Sequence, residues 1–472
     1  MKGLTDMIEK TEAELMMEEL FYAPKHASYV CEDDEIALAD EFCEGYKGFL
    51  NACKTEREAA AFTKAMAEKN GYVPFNRKGS YKAGDKVYYD IKGKALILCT
   101  FGKQPVENGT RIVASHIDSP RLDLKPNPLY EDAELALFKT HYYGGIKKYQ
   151  WTTVPLSLHG VIFRKDGTCV NVRLGEDEND PRFVVTDLLP HLDKQQANRT
   201  AENVVKGEDL NILVGSRPFL KEECDLNVKL NIMKLLNEKY GIVEADFLKA
   251  ELEMVPAYPA VDIGFDRSLI GAYGHDDRVC AYPSIMAEFA VENPEFTSVT
   301  VITDKEEIGS DGNTGLCSDY LKNFIADIAA IQGAEGRNAV RASECLSADV
   351  NAGFDPTYPS VHDSKNAAYL NKGIVVTKYT GARGKSSTND AHAEFVSKVI
   401  SVLDEAKVSW QIGELGKVDE GGGGTVAKYV ANLGVDVVDV GVPVLSMHAP
   451  FEVVAKTDVY MAFKGFKAFL ER

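Results

Sequence analysis

The chain has 472 residues, of which 45% are apolar and 26% charged, and a formal net charge of −19 at pH 7. That length exceeds what one ordinary core supports, so two domains are expected, and the composition is that of a globular protein rather than a disordered one. The acidic excess argues against a nucleic-acid backbone or an anionic membrane as partner, because basic surfaces bind both.

Residues 1 to about 70 read as helices, because Ile36, Leu38, Phe42, Tyr46, Phe49 and Leu50 recur near helical spacing and residues 55–69 are rich in Ala, Glu and Lys. The first ten residues alternate charged and apolar side chains too quickly for a signal peptide, and no apolar run approaches membrane-spanning length. Runs at 87–91, 95–99 and 110–115 read as strands, the last leading directly into His116-Ile-Asp118. From 123 to 255 the texture becomes β-rich. Strand-like pieces at 149–154 and 156–163 precede the turn Arg164-Lys-Asp-Gly167 and a strand at 168–174, which is a hairpin signature. An acidic loop at 176–180 and an amphipathic helix at 226–240 complete the block. A β-rich block between two α/β segments reads as an inserted domain, giving 1–122 and 256–472 as two parts of one domain and 123–255 as the other.

After Pro256 the α/β alternation resumes, with helical stretches at 281–291 and 316–332 and strands at 299–303 and 344–348. Glycines 421–424 open a helix before strands at 435–440 and 442–446. The expected fold class is therefore α/β, a mixed, largely parallel sheet sandwiched by helices and carrying the β-rich insert. The nine cysteines, at 31, 43, 53, 99, 169, 224, 280, 317 and 345, are odd in number and never form a CxxC pair. This pattern favours reduced thiols in a cytoplasmic protein over disulfides or a thiolate zinc site.

Four strand ends present candidate metal ligands: His116, the pair Glu306 and Glu307, Asp349 and His448. Asp276, in Gly274-His-Asp-Asp-Arg278, is a fifth candidate in a turn at the start of a helix. Neighbours on a strand face opposite ways, so Glu306 and Glu307 serve one site only if they lie past the strand end, where open α/β sheets place their ligands. One would then hold a metal and the other move protons. Each motif alone has a plain structural explanation, such as a solvated turn or a packed histidine; recurrence at four strand ends is harder to explain so. Imidazoles and carboxylates without a thiolate cluster or an all-oxygen cage suit zinc, with manganese or cobalt also accepted.

The series His116-x-Asp118, Gly274-His-Asp276-Asp277-Arg278, Glu306-Glu307-Ile-Gly, Ser347-Ala-Asp349 and Ser446-Met-His448 resembles the aspartyl aminopeptidase family of zinc metallopeptidases, closest to its bacterial members. The resemblance spans nearly the whole chain. It implies two divalent metal ions bridged by Asp276, one completed by His116 and Asp349 and the other by Glu307 and His448. Glu306 is left as general base, and Asp118 orients the site. Asp277 looks like a further supporting acid, with Arg278 available to pair with it. The insert is similar to the family's dimerisation domain, so the resemblance implies peptide substrates and a homo-oligomer built from dimers, up to a dodecamer. His191 resembles a family histidine that reaches a partner subunit's active site.

Other candidates for contact with substrate are Gly423, whose run could present backbone amides, and Lys378, Arg383 and Lys385, cations suited to an acidic first residue. The sequence around these cations departs from the better-known family members. The expected function is thus a metal-dependent aminopeptidase, with an acidic preference open. A related di-metal peptidase of neutral or broad specificity, and a catalytically silent structural relative, are the alternatives.

Overall fold

A computed structural model describes residues 10–221 and 224–472. The start of the expected N-terminal helical stretch, and most of the segment tested for a signal peptide, lie outside the described residues. The later part of that stretch forms helices Glu12–Leu20, Asp33–Ala52 and Glu56–Lys69. The last begins in a reciprocal cap. The Thr55 hydroxyl accepts the Glu58 N–H, and the Glu58 carboxylate accepts the Thr55 N–H, which satisfies two of the donors a helix start leaves free.

Nine strands form the principal sheet, in the order Val73–Pro74, Lys86–Ile91, Ala95–Thr100, Thr297–Thr303, Thr110–His116, Glu344–Ser347, Asp436–Gly441, Ile374–Thr377, Trp410–Ile412. The four strands from Thr297–Thr303 to Asp436–Gly441 run parallel, while Ala95–Thr100 and Ile374–Thr377 flank them antiparallel. The sheet is therefore mixed with a parallel centre. Alternation assigns its side chains to two cores. Leu96, Leu98, Val113, Leu346 and Val438 enter one with the helices Asp33–Ala52, His275–Ala290 and Lys456–Leu470. Ile97, Cys99, Ile112, Val299 and Val437 enter the other with Tyr320–Ile331 and Ala427–Ala431. Helices on both faces explain why the central strands are buried at nearly every position.

A second sheet of seven antiparallel strands takes the order Cys169–Leu174, Leu156–Phe163, Ala250–Pro256, Arg121–Asp132, Leu135–Tyr143, Ile212–Gly215, Val184–Val185. It has its own core, which includes Leu122, Phe138, Trp151, Leu158 and Met254, and the helix Asn227–Tyr240 packs on it. The strand expected at 149–154 is not there. Residues Lys148–Trp151 make a 3-10 turn that buries Trp151 edge-on against Tyr273, so an aromatic anchor rather than a ladder accounts for the apolar character. No helix among the described residues is long and apolar enough to cross a membrane.

Candidate metal centre

Register aligns the ends of three neighbouring parallel strands. Thr303 lies opposite His116, and Ser347 opposite Ala114, so the residues that follow leave the sheet at one edge. His116 closes its strand. Glu306 and Glu307 form a single 3-10 turn, Glu306–Ile308, just beyond Thr297–Thr303. Asp349 follows Glu344–Ser347 and crosses the neighbouring strand at Gly441, where a Cβ would meet the Asp349 carbonyl oxygen at 1.7 Å. Asp276 sits in the first turn of His275–Ala290. His448 does not end a strand of the principal sheet. It lies in a turn between Pro443–Val444, which pairs only with Asn351–Ala352, and Glu452–Ala455.

These residues converge. His116, Asp276 and Asp349 form one group, and Asp276, Glu307 and His448 another, with the ligand atoms of each within 4.8 Å of one another. Asp276 presents Oδ1 to His116 Nε2 at 3.2 Å and Oδ2 to His448 Nε2 at 3.1 Å. His448 Nε2 is also 3.5 Å from Glu307 Oε2, and His116 Nε2 is 3.9 Å from both Asp349 Oδ1 and Glu306 Oε2.

The ring orientations test whether a cation fits. His116 Nδ1 faces the Asp118 backbone carbonyl at 2.9 Å, and His448 Nδ1 faces the Gly145 carbonyl at 2.7 Å. Carbonyls only accept, so each Nδ1 carries the proton, and a neutral ring turns its Nε2 lone pair toward a carboxylate oxygen. Two acceptors facing each other at 3.1–3.2 Å need a cation or an extra proton between them. Glu307 Oε1 is moreover buried without a hydrogen-bond partner. Burial pushes the carboxyls of Glu307 and Asp349 well above the usual range, reinforced by the Asp276 charge at Glu307 and the Asp277 charge at Asp349. Burial opposes protonation of His448, but Asp276 and Glu307 outweigh it and lift the ring to about 11. Without an ion, protons occupy the places between these carboxyls and imidazoles that a divalent cation would take.

The supporting contacts extend beyond the residues expected. Asp118 is fully buried, and its carboxylate accepts the Tyr143 hydroxyl at 2.8 Å and the N–H groups of Glu306 and Glu307 at 3.2 Å each. Burial raises its pKa, but His116 and Tyr143 lower it overall. Asp277 accepts the His116 N–H at 3.2 Å. Arg278 does not pair with it: the guanidinium donates to the Lys54 carbonyl at 2.9 Å and lies over the Tyr273 ring. Gly144, at φ +78°, brings the backbone so close that a Cβ there would sit 3.2 Å from Glu307 Oε2. Tyr143, Gly145 and Glu452 were missed by sequence reasoning. The glycine pair after an alternating strand was the one available signal of close backbone approach.

The remaining candidates lie in loops. His191 is exposed in the loop that follows Val184–Val185. Lys378, Arg383 and Lys385 are all exposed, and Lys385 pairs with Asp390 at 3.1 Å. The Gly423 N–H donates to the Thr380 carbonyl at 2.9 Å, and the helix beyond it starts only at Ala427 and runs five residues. The glycine run is thus a loop whose central amide is already occupied.

An α/β sheet that gathers imidazoles and carboxylates around one shared Asp at its parallel edge has the ligand chemistry of a metallohydrolase. Residues 49–470 match the family model described as aminopeptidase I zinc metalloprotease (M18). A probable M18 family aminopeptidase 1 of Clostridium acetobutylicum is 52% identical over 447 residues, covering 93% of this chain and 96% of that protein. Its counterpart in Thermotoga maritima is 45% identical over 438 residues, 92% of this chain and 96% of that one. The crystal structure of the M18 aminopeptidase from Thermotoga maritima superposes with a TM-score of 0.92 at 44% identity, covering 96% of this chain and all of the other. Aminopeptidase I from Clostridium acetobutylicum gives 0.90 at 49% identity with the same coverage. The chain belongs to the M18 family of zinc aminopeptidases, hydrolases that act on peptide bonds.

Proposed function

We propose that the two groups of side chains are one dinuclear zinc centre with Asp276 shared, His116 and Asp349 completing one ion, and Glu307 and His448 the other. The observation that carries this reading is that Asp276 offers one oxygen to each histidine, at 3.2 and 3.1 Å. Zinc bound there supplies Lewis acidity and acidifies water near neutral pH; manganese and cobalt accept the same nitrogen and oxygen donors. Glu306 faces the same pocket and is not needed to complete either group. It takes the proton from water and returns it to the leaving amine, the double role of a general acid/base. Asp118 keeps Glu306 in place by accepting the N–H groups of its turn.

Acceptance at the peptide N-terminus is broad in this reading. A site selective for Asp or Glu needs a desolvated cation, and Lys378, Arg383 and Lys385 are exposed, with Lys385 already paired. Residues 123–255 form the inserted unit and carry subunit pairing, supported by their separate core and by the exposed Leu188, Leu189 and Leu192 beside His191. A cytoplasmic location is supported by nine free cysteines. Rates on the amides of Asp, Leu and Lys, measured beside an N-blocked peptide, test the reading. Comparable turnover of Asp and Leu amides and no cleavage of the blocked peptide are expected; cleavage of the blocked peptide alone would overturn it.

A further inference from the structure

Glu452 is 1% exposed and forms no side-chain salt bridge among the described residues, so ion pairing does not account for a carboxylate there. Both its oxygens are nevertheless used. Oε2 accepts the Asp276 N–H at 3.1 Å, and Oε1 accepts the His448 N–H at 2.7 Å. Each of those two residues is also held from its other side. The Asp276 carbonyl accepts the Ser119 hydroxyl at 2.6 Å, and the His448 ring donates to the Gly145 carbonyl. His448 has φ +65°, a conformation that a residue with a side chain keeps only where its surroundings hold it.

We propose that Glu452 is a positioning residue for the metal centre: a single carboxylate that, through two backbone N–H groups, fixes the separation of Asp276 and His448. The inference rests on reading this cluster as a dinuclear centre. A carboxylate is required because both partners are donors. The amide of glutamine offers one acceptor and would turn its NH2 toward the second N–H. The local fold does not depend on the side chain, since Glu452–Ala455 is already paired along its length with Leu269–Ala272, Ala272 lying opposite Glu452. The hydrogen bonds act on the ligands' backbones, so the expected effect is on the ion that His448 completes. Outer contacts of this kind typically change metal affinity about 10–100-fold.

The test is zinc binding by competition with a chromophoric chelator, read for wild type, Glu452→Gln, His448→Ala and the double variant, with melting in excess chelator alongside. The expected result is that Glu452→Gln melts like wild type without metal and holds one zinc at least tenfold more weakly. In the His448→Ala background the same change should cost less than it does in wild type, because one of the two ligands it positions is gone and Asp276 alone remains to be held. Wild-type affinity in Glu452→Gln, additive losses in the double variant, or a metal-free melting temperature that falls as far as the zinc-loaded one would each overturn the inference. A wild-type chain that binds no zinc would instead remove the dinuclear reading on which it stands.

Discussion

Removing the Tyr143 hydroxyl isolates one contact between the second sheet and the candidate metal centre. Tyr143 ends the strand Leu135–Tyr143, and its hydroxyl donates to Asp118 Oδ2 at 2.8 Å, the same carboxylate that holds the Glu306–Glu307 turn. Burial, with the Asp118 charge added, keeps this phenol protonated and donating at any working pH. Tyr143→Phe deletes a single oxygen and leaves the ring under the Arg121 guanidinium, 3.8 Å from its centroid. A hydrogen bond to a charged partner contributes about 1.5–3 kcal/mol. Asp118 Oδ2 keeps the Glu307 N–H and is not orphaned, so the lower end, about 1.5 kcal/mol, applies. If that is felt where Glu306 must be aimed, kcat falls about tenfold. Steady-state kinetics on an aminoacyl amide should show that drop with KM near wild type and zinc retained. An unchanged kcat, whatever happens to the melting temperature, would refute the argument that Tyr143 acts through Asp118 on the catalytic turn.

Glu306→Gln should keep its zinc and lose turnover by about 10²–10⁴-fold, the usual contribution of a general base; wild-type activity in that variant would remove Glu306 from the role. Chelation should lower the melting temperature, because Asp276, Glu306, Glu307 and Asp349 then share one pocket without a cation. A melt that chelator leaves unmoved would contradict this. His159 is buried between Glu58 at 2.9 Å and Glu176 at 3.0 Å. Burial disfavours its charged form, but the two carboxylates outweigh burial and raise its pKa above 6.5. A raised folded-state pKa gives stability that is complete below the unfolded value and lost as pH rises through the folded one. The melting-temperature gap between wild type and His159→Gln should therefore be largest under mildly acidic conditions and shrink toward alkaline pH; a gap independent of pH would count against it.

Where burial is two-sided or periodic, the fold was legible. Ala95–Thr100 and Thr297–Thr303 are buried at every position, which the apolar run of the first and the β-branched residues of the second announce. The hairpin of Leu156–Phe163 and Cys169–Leu174 forms around Arg164-Lys-Asp-Gly167 as its turn residues indicate. Residues 149–154 misled because aromatic and β-branched content marks burial as well as strand. The acidic turn at Glu306 and Glu307 was readable from its abrupt change of character after a strand. His448 was not placed correctly, since nothing in 442–446 tells a principal-sheet strand from a two-residue ladder. Glu452 and Gly145 were beyond reach for a different reason: Glu452 acts on Asp276 across 176 positions, and Gly145 acts on His448 across 303. Such contacts exist only once residues far apart in the chain have been packed together. The same holds for Arg278, whose pairing with its neighbour Asp277 is prevented by the turn that sends the two side chains apart.

Sharing of Asp276 by two ions sets the zinc content of the purified protein. Wild type should hold two zinc ions per chain, His448→Ala one, and Asp276→Ala neither. An Asp276→Ala variant that keeps one ion at wild-type affinity would show that the two groups are independent sites and that the bridge does not exist.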